Sequence, residues 1–235
     1  MSSHAAAAHG AHGAGHDDGH AHHHYTTTGL EHRKIAIWAF IGSECMLFAS
    51  LISTYLIYKG RSIVGPFPHT EWVNEAGVVF KPILNIPVTS ASTFVLLMSS
   101  LAMVLALQAV QLKDTPLPDG ANWWTRAQRS SQGWLLMTAL LGMTFLGFQA
   151  FEFASFVHEG LTIKTNLFGS TFYTLTGFHG AHVTAGVLWL FTLLFIDRKR
   201  GLGPKDELIV DIAALYWHFV DVVWIAIFTL VYLIQ

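Results

Sequence analysis

The sequence predicts an all-α fold, a polytopic membrane helix bundle with five transmembrane helices. Of its 235 residues, 52% are hydrophobic and only 12% are charged, whereas about 25% are charged in a typical soluble domain. Five apolar stretches reach or exceed the roughly 20 residues that a helix needs to cross a bilayer. Runs such as "VLWLFTLLFI" are unbroken, whereas strands of a membrane barrel alternate apolar and polar residues over about 10 positions.

The five predicted helices follow one another along the chain. They cover residues 34–58, 88–112, 132–157, 170–196 and 209–234. The first stretch follows a long polar segment and is much longer than the core of a signal peptide, so we expect all five helices in the mature protein. The only cysteine is Cys45, which excludes an internal disulfide framework.

Residues 1–29 have a different composition from residues 30–235, which we predict to form the five-helix transmembrane domain. The segment "HAAAAHGAHGAGHDDGHAHHHY" holds eight of the 14 histidines among alanine and glycine, without apolar periodicity. Such a composition predicts a disordered tail. Two interpretations stay open: weak metal or proton buffering by imidazole, and a low-complexity extension with no specific role. The scattered histidines argue against a purification tag.

The basic residues predict the orientation of the bundle. Nine Lys and Arg residues flank the helices on the side of the N-terminus, and four lie on the other side. Because basic residues are enriched in cytoplasmic loops, we expect a cytoplasmic N-terminus and an external C-terminus. The first external loop, 59–87, carries three of the four basic residues on the side opposite the N-terminus.

Six ionisable residues are candidates at membrane depth, away from the ends of the predicted spans or close to one of them, where a charge is costly and usually functional. Glu44 lies in "IGSECMLF" of the first span and Glu152 in "GFQAFEF" of the third. His179 and His182 lie in "GFHGAHVTAG", and His218 and Asp221 lie in "YWHFVDVVW". A spacing of three places the members of each pair on one helix face, so we expect both pairs to point into the bundle.

Three interpretations of these residues stay open. The first is a buried polar network, His to Asp and His to Glu, which holds the helices together beside small residues that allow close approach. The second is haem ligation by His182 and His218 from facing helices. The third is a proton or ion path through Glu44, Glu152 and Asp221. Periodicity does not choose between them.

Four segments together resemble one family. They are "SECMLFASL" at 43–51, "LNIPVTSAS" at 84–92, "FGSTFYTLTGFHGAHV" at 168–183 and "YWHFVDVVW" at 216–224. In this order they are similar to subunit III of the haem-copper terminal oxidases, cytochrome c oxidase above all, over about residues 31–235. The sequence departs from the seven-helix form of that subunit, because its first two helices are absent and the five predicted spans correspond to the last five. Five-helix forms accompany bacterial cytochrome c oxidases, quinol oxidases and nitric-oxide reductases.

The resemblance implies an accessory chain of a proton-translocating respiratory oxidase in the bacterial plasma membrane. In this family the haems and copper ions belong to subunits I and II, so the resemblance implies no metal, no catalytic residue and no nucleic-acid partner for this chain. Its expected partners are those two subunits and membrane phospholipids. It is similar to a subunit that packs on subunit I, binds phospholipid in a cleft and supports proton uptake.

The resemblance also assigns roles to residues. Glu44 matches the family's buried, carbodiimide-reactive carboxylate, which is linked to proton uptake. Glu152, His179, His182, His218 and Asp221 match its buried polar positions. Arg198, Lys199 and Arg200 follow the fourth span, where basic residues attract anionic headgroups or serve only as a positive-inside flank. The alternative function is an autonomous haem-binding or proton-conducting membrane protein. The electron donor of the complex, cytochrome c or quinol, stays open.

Overall fold

A computed structural model describes residues 31–63, 65–73, 77, 79–80, 82–117, 120 and 122–234. The predicted tail 1–29 lies outside these residues. The helices are α1 (His32–Tyr58), α2 (Ile86–Gln111), α3 (Trp123–Gln128), α4 (Ser131–His158), α5 (Leu167–Arg200) and α6 (Glu207–Ile227). A 3-10 turn, Pro204–Asp206, precedes α6, and a π-helical segment, Phe228–Leu233, continues it. Strands β1 (Trp72–Val73) and β2 (Val79–Phe80) pair antiparallel between α1 and α2.

The five long helices confirm the predicted fold class. The segments α1, α2, α4, α5 and Pro204–Leu233 are each long and apolar enough to cross a membrane. Helix α5 extends past the predicted end of its span. The prediction stopped at residue 196 because the last turn, Asp197–Arg200, is charged and not apolar. The short helix α3 and the β1–β2 hairpin are two elements that the apolar pattern did not predict, since neither contains a long hydrophobic run.

Side-chain caps explain where three of the long helices begin. A cap side chain accepts a hydrogen bond from a backbone N–H that has no partner within the first helical turn. Asn85 caps α2 through Val88 N, Ser130 caps α4 through Gly133 N, and Asn166 caps α5 through Gly169 N. Helix α5 ends at Arg200 and is capped by Gly201, whose φ of 74° is a conformation that favours glycine.

Helix α6 occupies the centre of the bundle. It packs against α2, α5 and α1, while α4 packs against α2 and α5, and α1 packs against α5 and α6. In its most apolar window 56% of the residues of the last span are buried, compared with 6% for α1. Helix α1 is therefore peripheral, with one face open to lipid or to another subunit.

Two glycines let Trp217 of α6 fit between α4 and α5. Trp217 is fully buried. A Cβ atom on Gly142 would lie 2.6 Å from Cη2 of Trp217, and one on Gly186 would lie 2.8 Å from its Cζ3. Both distances are too short for carbon atoms, so the approach of the three helices depends on glycine at these positions.

The two ends of the bundle are distinguished by their loops. The hairpin end comprises the loop between α1 and α2, the 159–166 connection and the end of Phe228–Leu233. The basic end comprises the start of α1, the segment between α2 and α4, and residues 197–207. At the hairpin end, His69 Nε2 donates to the carbonyl of Val231 at 3.2 Å, and Asn166 donates to that of Pro66 at 3.0 Å. Burial lowers the pKa of His69, so the contact is made by the neutral ring.

The glycine contacts predict opposite effects for the same substitution at two positions of α4. Gly142→Ala should lower the free energy of unfolding by about 1 to 3 kcal/mol, because the added methyl group overlaps Trp217. Gly147→Ala should raise it by about 0.5 to 1 kcal/mol, because alanine favours helix and a Cβ there meets no atom within 4 Å. Denaturation of the purified protein, followed by tryptophan fluorescence, measures both. Equal effects would contradict the packing described for Trp217.

Candidate functional site

The six sequence-predicted ionisable residues lie on four of the five spans, and the structure brings part of this set together. Glu44 is on α1, Glu152 on α4, His179 and His182 on α5, and His218 and Asp221 on α6. We call these six residues the polar core. Five of them form three separate groups and Glu152 lies apart, so the six do not make one continuous chain of hydrogen bonds.

The first group joins α1 to α5. Nε2 of His182 lies 3.0 Å from Oε2 of Glu44, and both side chains are less than one-fifth exposed. Nδ1 of the same ring lies 2.8 Å from the carbonyl oxygen of Phe178, one turn earlier in α5. Tyr216 of α6 donates to the backbone carbonyl of His182 at 3.0 Å. The contact thus ties the peripheral helix α1 to the centre of the bundle.

The hydrogen-bond partners of His182 determine the chemistry of this pair. Because a carbonyl oxygen only accepts, Nδ1 must carry a hydrogen. Nε2 then either donates to a Glu44 carboxylate as part of an imidazolium, or accepts from a protonated Glu44. The two arrangements contain the same number of protons and differ only in which atom holds one of them. The pair can therefore move a proton between its two atoms without any change in its net charge.

The second group surrounds His179. This residue is fully buried, and neither ring nitrogen has a hydrogen-bond partner among the described residues. Its ring stacks on Trp224 with centroids 4.9 Å apart, and Phe145 meets it edge-on at 5.9 Å. His179 is one turn from His182 in sequence but contacts aromatic rings of α4 and α6 instead of a carboxylate.

The third group lies between α6 and α2. Nδ1 of His218 is 2.6 Å from Oγ of Ser100. Ser100 also lies beside Asp221, but neither carboxylate oxygen of Asp221 makes a hydrogen bond within the described residues. Asp221 is 3% exposed. The two residues of "YWHFVDVVW" therefore share a neighbour on α2 and are not bonded to each other.

Glu152 lies apart from these groups, close to the hairpin end. It is buried, it accepts a short hydrogen bond from the Thr89 hydroxyl of α2, and the Tyr232 hydroxyl lies 3.4 Å from its second oxygen. The carboxylate thus joins α4 to α2 and to the end of the last span. Tyr55 of α1, whose hydroxyl has no partner among the described residues, is also near Tyr232.

Residues of α2 that the sequence analysis did not single out accept hydrogen bonds from the buried tryptophans of α6. Trp217 Nε1 donates to Oγ of Ser99 at 3.0 Å, and Trp224 Nε1 donates to Oγ1 of Thr93 at 2.9 Å. Thr89, Thr93 and Ser100 recur in "TSASTFVLLMSS" at intervals close to whole helical turns, so they share one face. This stripe of hydroxyls in an apolar helix is the sequence feature from which these partners could have been predicted.

Asp197, at the basic end, is a second residue that the sequence analysis missed. Its side chain is fully buried. It accepts from Ser131 Oγ at 2.6 Å and from the backbone N–H of Leu202 at 2.7 Å, and Lys113 Nζ lies 3.8 Å away. The carboxylate joins the start of α4 to the end of α5. The only indication of this role in the sequence is a single acidic residue before a basic run, in "FIDRKR".

The three basic residues after Asp197 are exposed. Arg200 pairs with Asp206 at 2.9 Å, and Lys199 Nζ lies over the Phe195 ring, 4.6 Å from its centroid. Within the described part of the chain, no three His, Cys, Asp or Glu side chains gather in a way that could hold a metal ion. The polar core therefore consists of pairs and single residues embedded in aromatic packing.

Comparison with known proteins identifies the family. The cytochrome c oxidase subunit III family matches residues 15–235. The chain belongs to the cytochrome c oxidase subunit III family. This confirms the resemblance carried by the four segments, and the match begins earlier than residue 31, within the predicted tail.

The subunit III relatives include proteins of two kinds of oxidase. Cytochrome c oxidase subunit 3 of Bacillus sp. (strain PS3) is 38% identical, with 86% of each chain covered. Quinol oxidase subunit 3 of Bacillus subtilis (strain 168) is 34% identical over 91% of this chain and 96% of the relative. Cytochrome bo(3) ubiquinol oxidase subunit 3 of Pseudomonas aeruginosa is 33% identical over 95% and 92%.

The contact between α1 and α5 predicts coupling between Glu44 and His182. In a double-mutant cycle, Glu44→Gln and His182→Gln should show a coupling free energy of about 0.5 to 3 kcal/mol, because each substitution removes the same interaction. The cycle is measured as the free energy of unfolding of the four proteins.

The matched control combines Glu44→Gln with His218→Gln. His218 bonds Ser100 and not Glu44, so these two effects should add within about 0.5 kcal/mol. Additivity in the Glu44–His182 cycle, or coupling of similar size in both cycles, would show that the pair does not interact as described.

Proposed function

We propose that this chain is the accessory, non-redox third subunit of a proton-translocating haem-copper oxidase, with subunits I and II as its partners. The observation that carries the proposal is the family match over residues 15–235 of a chain with five spanning helices. The haem and copper chemistry, reduction of oxygen to water, belongs to the partner subunits. The proposed location is the bacterial plasma membrane, with the basic end in the cytoplasm.

The geometry of the histidines supports a scaffold role over haem ligation. Haem iron takes a ring nitrogen that has a free electron pair, but both nitrogens of His182 face protein groups, Phe178 and Glu44. His179 is enclosed by Trp224 and Phe145. In hydrocarbon a polar group must find its partners within the protein, and leaving one unpaired costs about 1 to 3 kcal/mol. The paired members of the polar core, Glu44 with His182 and His218 with Ser100, thus favour one arrangement of the helices.

Glu44 is the residue that we propose to link to proton uptake. Its carboxyl group lies within the α1 span, its side chain is 18% exposed, and it faces His182. A carboxyl group and an imidazole in hydrogen-bond contact are groups between which a proton can pass. The peripheral position of α1 puts this pair where a partner subunit or lipid can reach it.

Bound phospholipid is the second part of the proposed role. Arg198, Lys199 and Arg200 form an exposed basic run at the basic end, and each such residue attracts anionic lipid by about 1 kcal/mol. Of the three, Arg200 is engaged by Asp206, so Arg198 and Lys199 are the more available. The enrichment of basic residues in cytoplasmic loops explains the same charges without any lipid site. Substitution of the three residues by glutamine distinguishes these explanations, because only the loss of a lipid site lowers the phospholipid retained by the complex.

The relatives are named for oxidases with two different electron donors. Relatives named as cytochrome c oxidase and quinol oxidase subunits match the chain at 38% and 34% identity, a difference too small to choose between them. In the proposed role the donor reacts with another chain of the complex. The runner-up function, an autonomous haem-binding or proton-conducting protein, requires haem or proton flux in the isolated chain.

Removal of the chain tests the proposed function through the pH dependence of the complex. Without it, the initial rate of oxygen reduction should remain substantial at low pH, where protons are plentiful. At higher pH the rate should fall more steeply than in the complete enzyme, and activity should decay during turnover. Oxygen-electrode measurements on both preparations check this. Parallel pH profiles and equal lifetimes would overturn the proposal that the chain supports proton uptake.

Reporter fusions test the orientation that the basic residues predict. Nine basic residues flank the side of the N-terminus and four the other side, so an alkaline-phosphatase domain fused after residue 29 should be inactive. The same domain fused to the C-terminus should be active, because that end is proposed to be external. Activity of the first fusion, or inactivity of the second, would reverse the topology.

A further inference from the structure

His218 lies at the outer surface of the bundle, near the middle of the Pro204–Leu233 span. Its side chain is only partly buried. Nδ1 faces inward, 2.6 Å from Oγ of Ser100 on α2. Nε2 has no hydrogen-bond partner among the described residues, and it is accessible from outside the chain, unlike both nitrogens of His179. A ring nitrogen of α6 thus faces outward at mid-membrane depth.

The Ser100 hydroxyl determines which form of this ring is present. Other hydroxyls of α2, such as those of Thr93 and Ser99, donate to a backbone carbonyl three or four residues earlier. Within the described residues Ser100 makes no such bond and none to Asp221, so its hydrogen is available to Nδ1 of His218. A neutral imidazole that accepts at one nitrogen carries its hydrogen on the other. Nε2 is therefore an N–H donor that points away from the chain.

Exposed apolar residues surround this donor on two helices. They lie about one helical turn from Ser100 on α2, and one and two turns from His218 on α6, and each is more than one-third exposed. Glu44 contacts His182 of α5, so that pair is not part of this surface. Six residues form what we call the His218 face: Leu97, Ser100 and Val104 of α2, with His218, Val222 and Ile225 of α6.

Lipid supplies no partner for the donor of the His218 face. The hydrocarbon of a bilayer contains no hydrogen-bond acceptor, so a polar group at this depth needs its partner from protein. Side-chain hydrogen bonds between membrane-spanning helices are a recurrent means of association. The apolar residues on either side of the ring supply the packing. The chemistry of the face therefore fits an apolar helix with one acceptor oxygen at the depth of His218.

We propose that the His218 face is the docking surface for a membrane-spanning helix of a partner subunit, which accepts a hydrogen bond from Nε2 of His218. The acceptor is a side-chain oxygen, from a carboxyl, amide or hydroxyl group. Ser100 has a positioning role, because its bond to Nδ1 directs Nε2–H toward the partner. This docking surface rests on the proposed function, since it requires a complex with other membrane subunits.

Photo-cross-linking of the full chain in native membranes tests which molecule covers the face. A benzophenone amino acid replaces Val222, one turn from His218 and 64% exposed. The matched control replaces Leu188 of α5, which is 63% exposed and lies outside the face. Mass spectrometry identifies the cross-linked peptides. Position 222 should attach to a membrane-spanning segment of an oxidase partner subunit, and position 188 should not attach to that segment.

Substitutions at two positions test the hydrogen bond. His218→Phe keeps a ring but removes the donor, so retention of this chain by the solubilised complex should fall about fivefold or more. His218→Gln supplies an amide that can accept from Ser100 and donate outward, so it should restore most of the retention. Ser100→Ala removes only the internal contact and should lower retention much less than His218→Phe. Unfolding of each purified variant identifies any loss that comes from folding alone.

Cross-links from position 222 to lipid alone, to a second copy of this chain, or to the segment that position 188 meets would overturn the proposal. Equal loss of retention in Ser100→Ala and His218→Phe would also overturn it, because the histidine would then act only within this chain. Failure of the proposed function gives a different result. A chain that co-purifies with haem-bearing subunits while position 222 attaches only to lipid keeps the accessory role and refutes the docking surface. A chain that does not co-purify with them refutes both.

Discussion

The rest of the structure depends on how α6 satisfies its polar groups inside an apolar bundle. In a membrane no water is available to replace a missing partner, so each polar group on the central helix needs a partner from a neighbouring helix. Helix α2 supplies most of them, through the hydroxyls that accept from Trp217 and Trp224 and the one that meets His218. These contacts fix the rotation and depth of α6 against α2. They also place Asp221, and they place Trp224, on which His179 stacks.

The glycines of α4 and α5 act together with these hydrogen bonds. Trp217 reaches Ser99 only because Gly142 and Gly186 leave room for its ring, so a packing requirement and a hydrogen-bonding requirement meet in one side chain. Outside this centre, single polar residues hold the ends: Glu152 at the hairpin end and Asp197 at the basic end. The polar residues are distributed along the bundle, as is expected when their role is to hold helices rather than to conduct charge along a line.

Part of this arrangement was predictable from the sequence. The five spans follow from length and hydrophobicity alone, since an apolar segment of that length has few other stable states. That His179 shares a helix face with His182, and His218 with Asp221, follows from their spacing of three. The partners did not follow, because His182 meets Glu44 across 138 positions of sequence, and no local pattern specifies which helices become neighbours. Ser100, Thr89 and Thr93 went unnoticed for a related reason: a hydroxyl in an apolar helix commonly bonds its own backbone, so its sequence signal is weak. Asp197 directly precedes the basic flank in the sequence, and only the structure places its side chain in the interior.

The central claim is that the polar core carries no redox centre and that its histidines are scaffold, and the optical spectrum of the purified chain tests it most directly. The chain, isolated from a strain that makes the partner subunits and then separated from them, should show only aromatic absorbance, with no haem bands and no stoichiometric iron or copper. In the complex, replacement of His179, His182 and His218 should leave haem absorbance per subunit I unchanged while weakening retention of this chain. Haem bands that remain with the isolated chain and vanish on substitution of any one of these histidines would contradict the account.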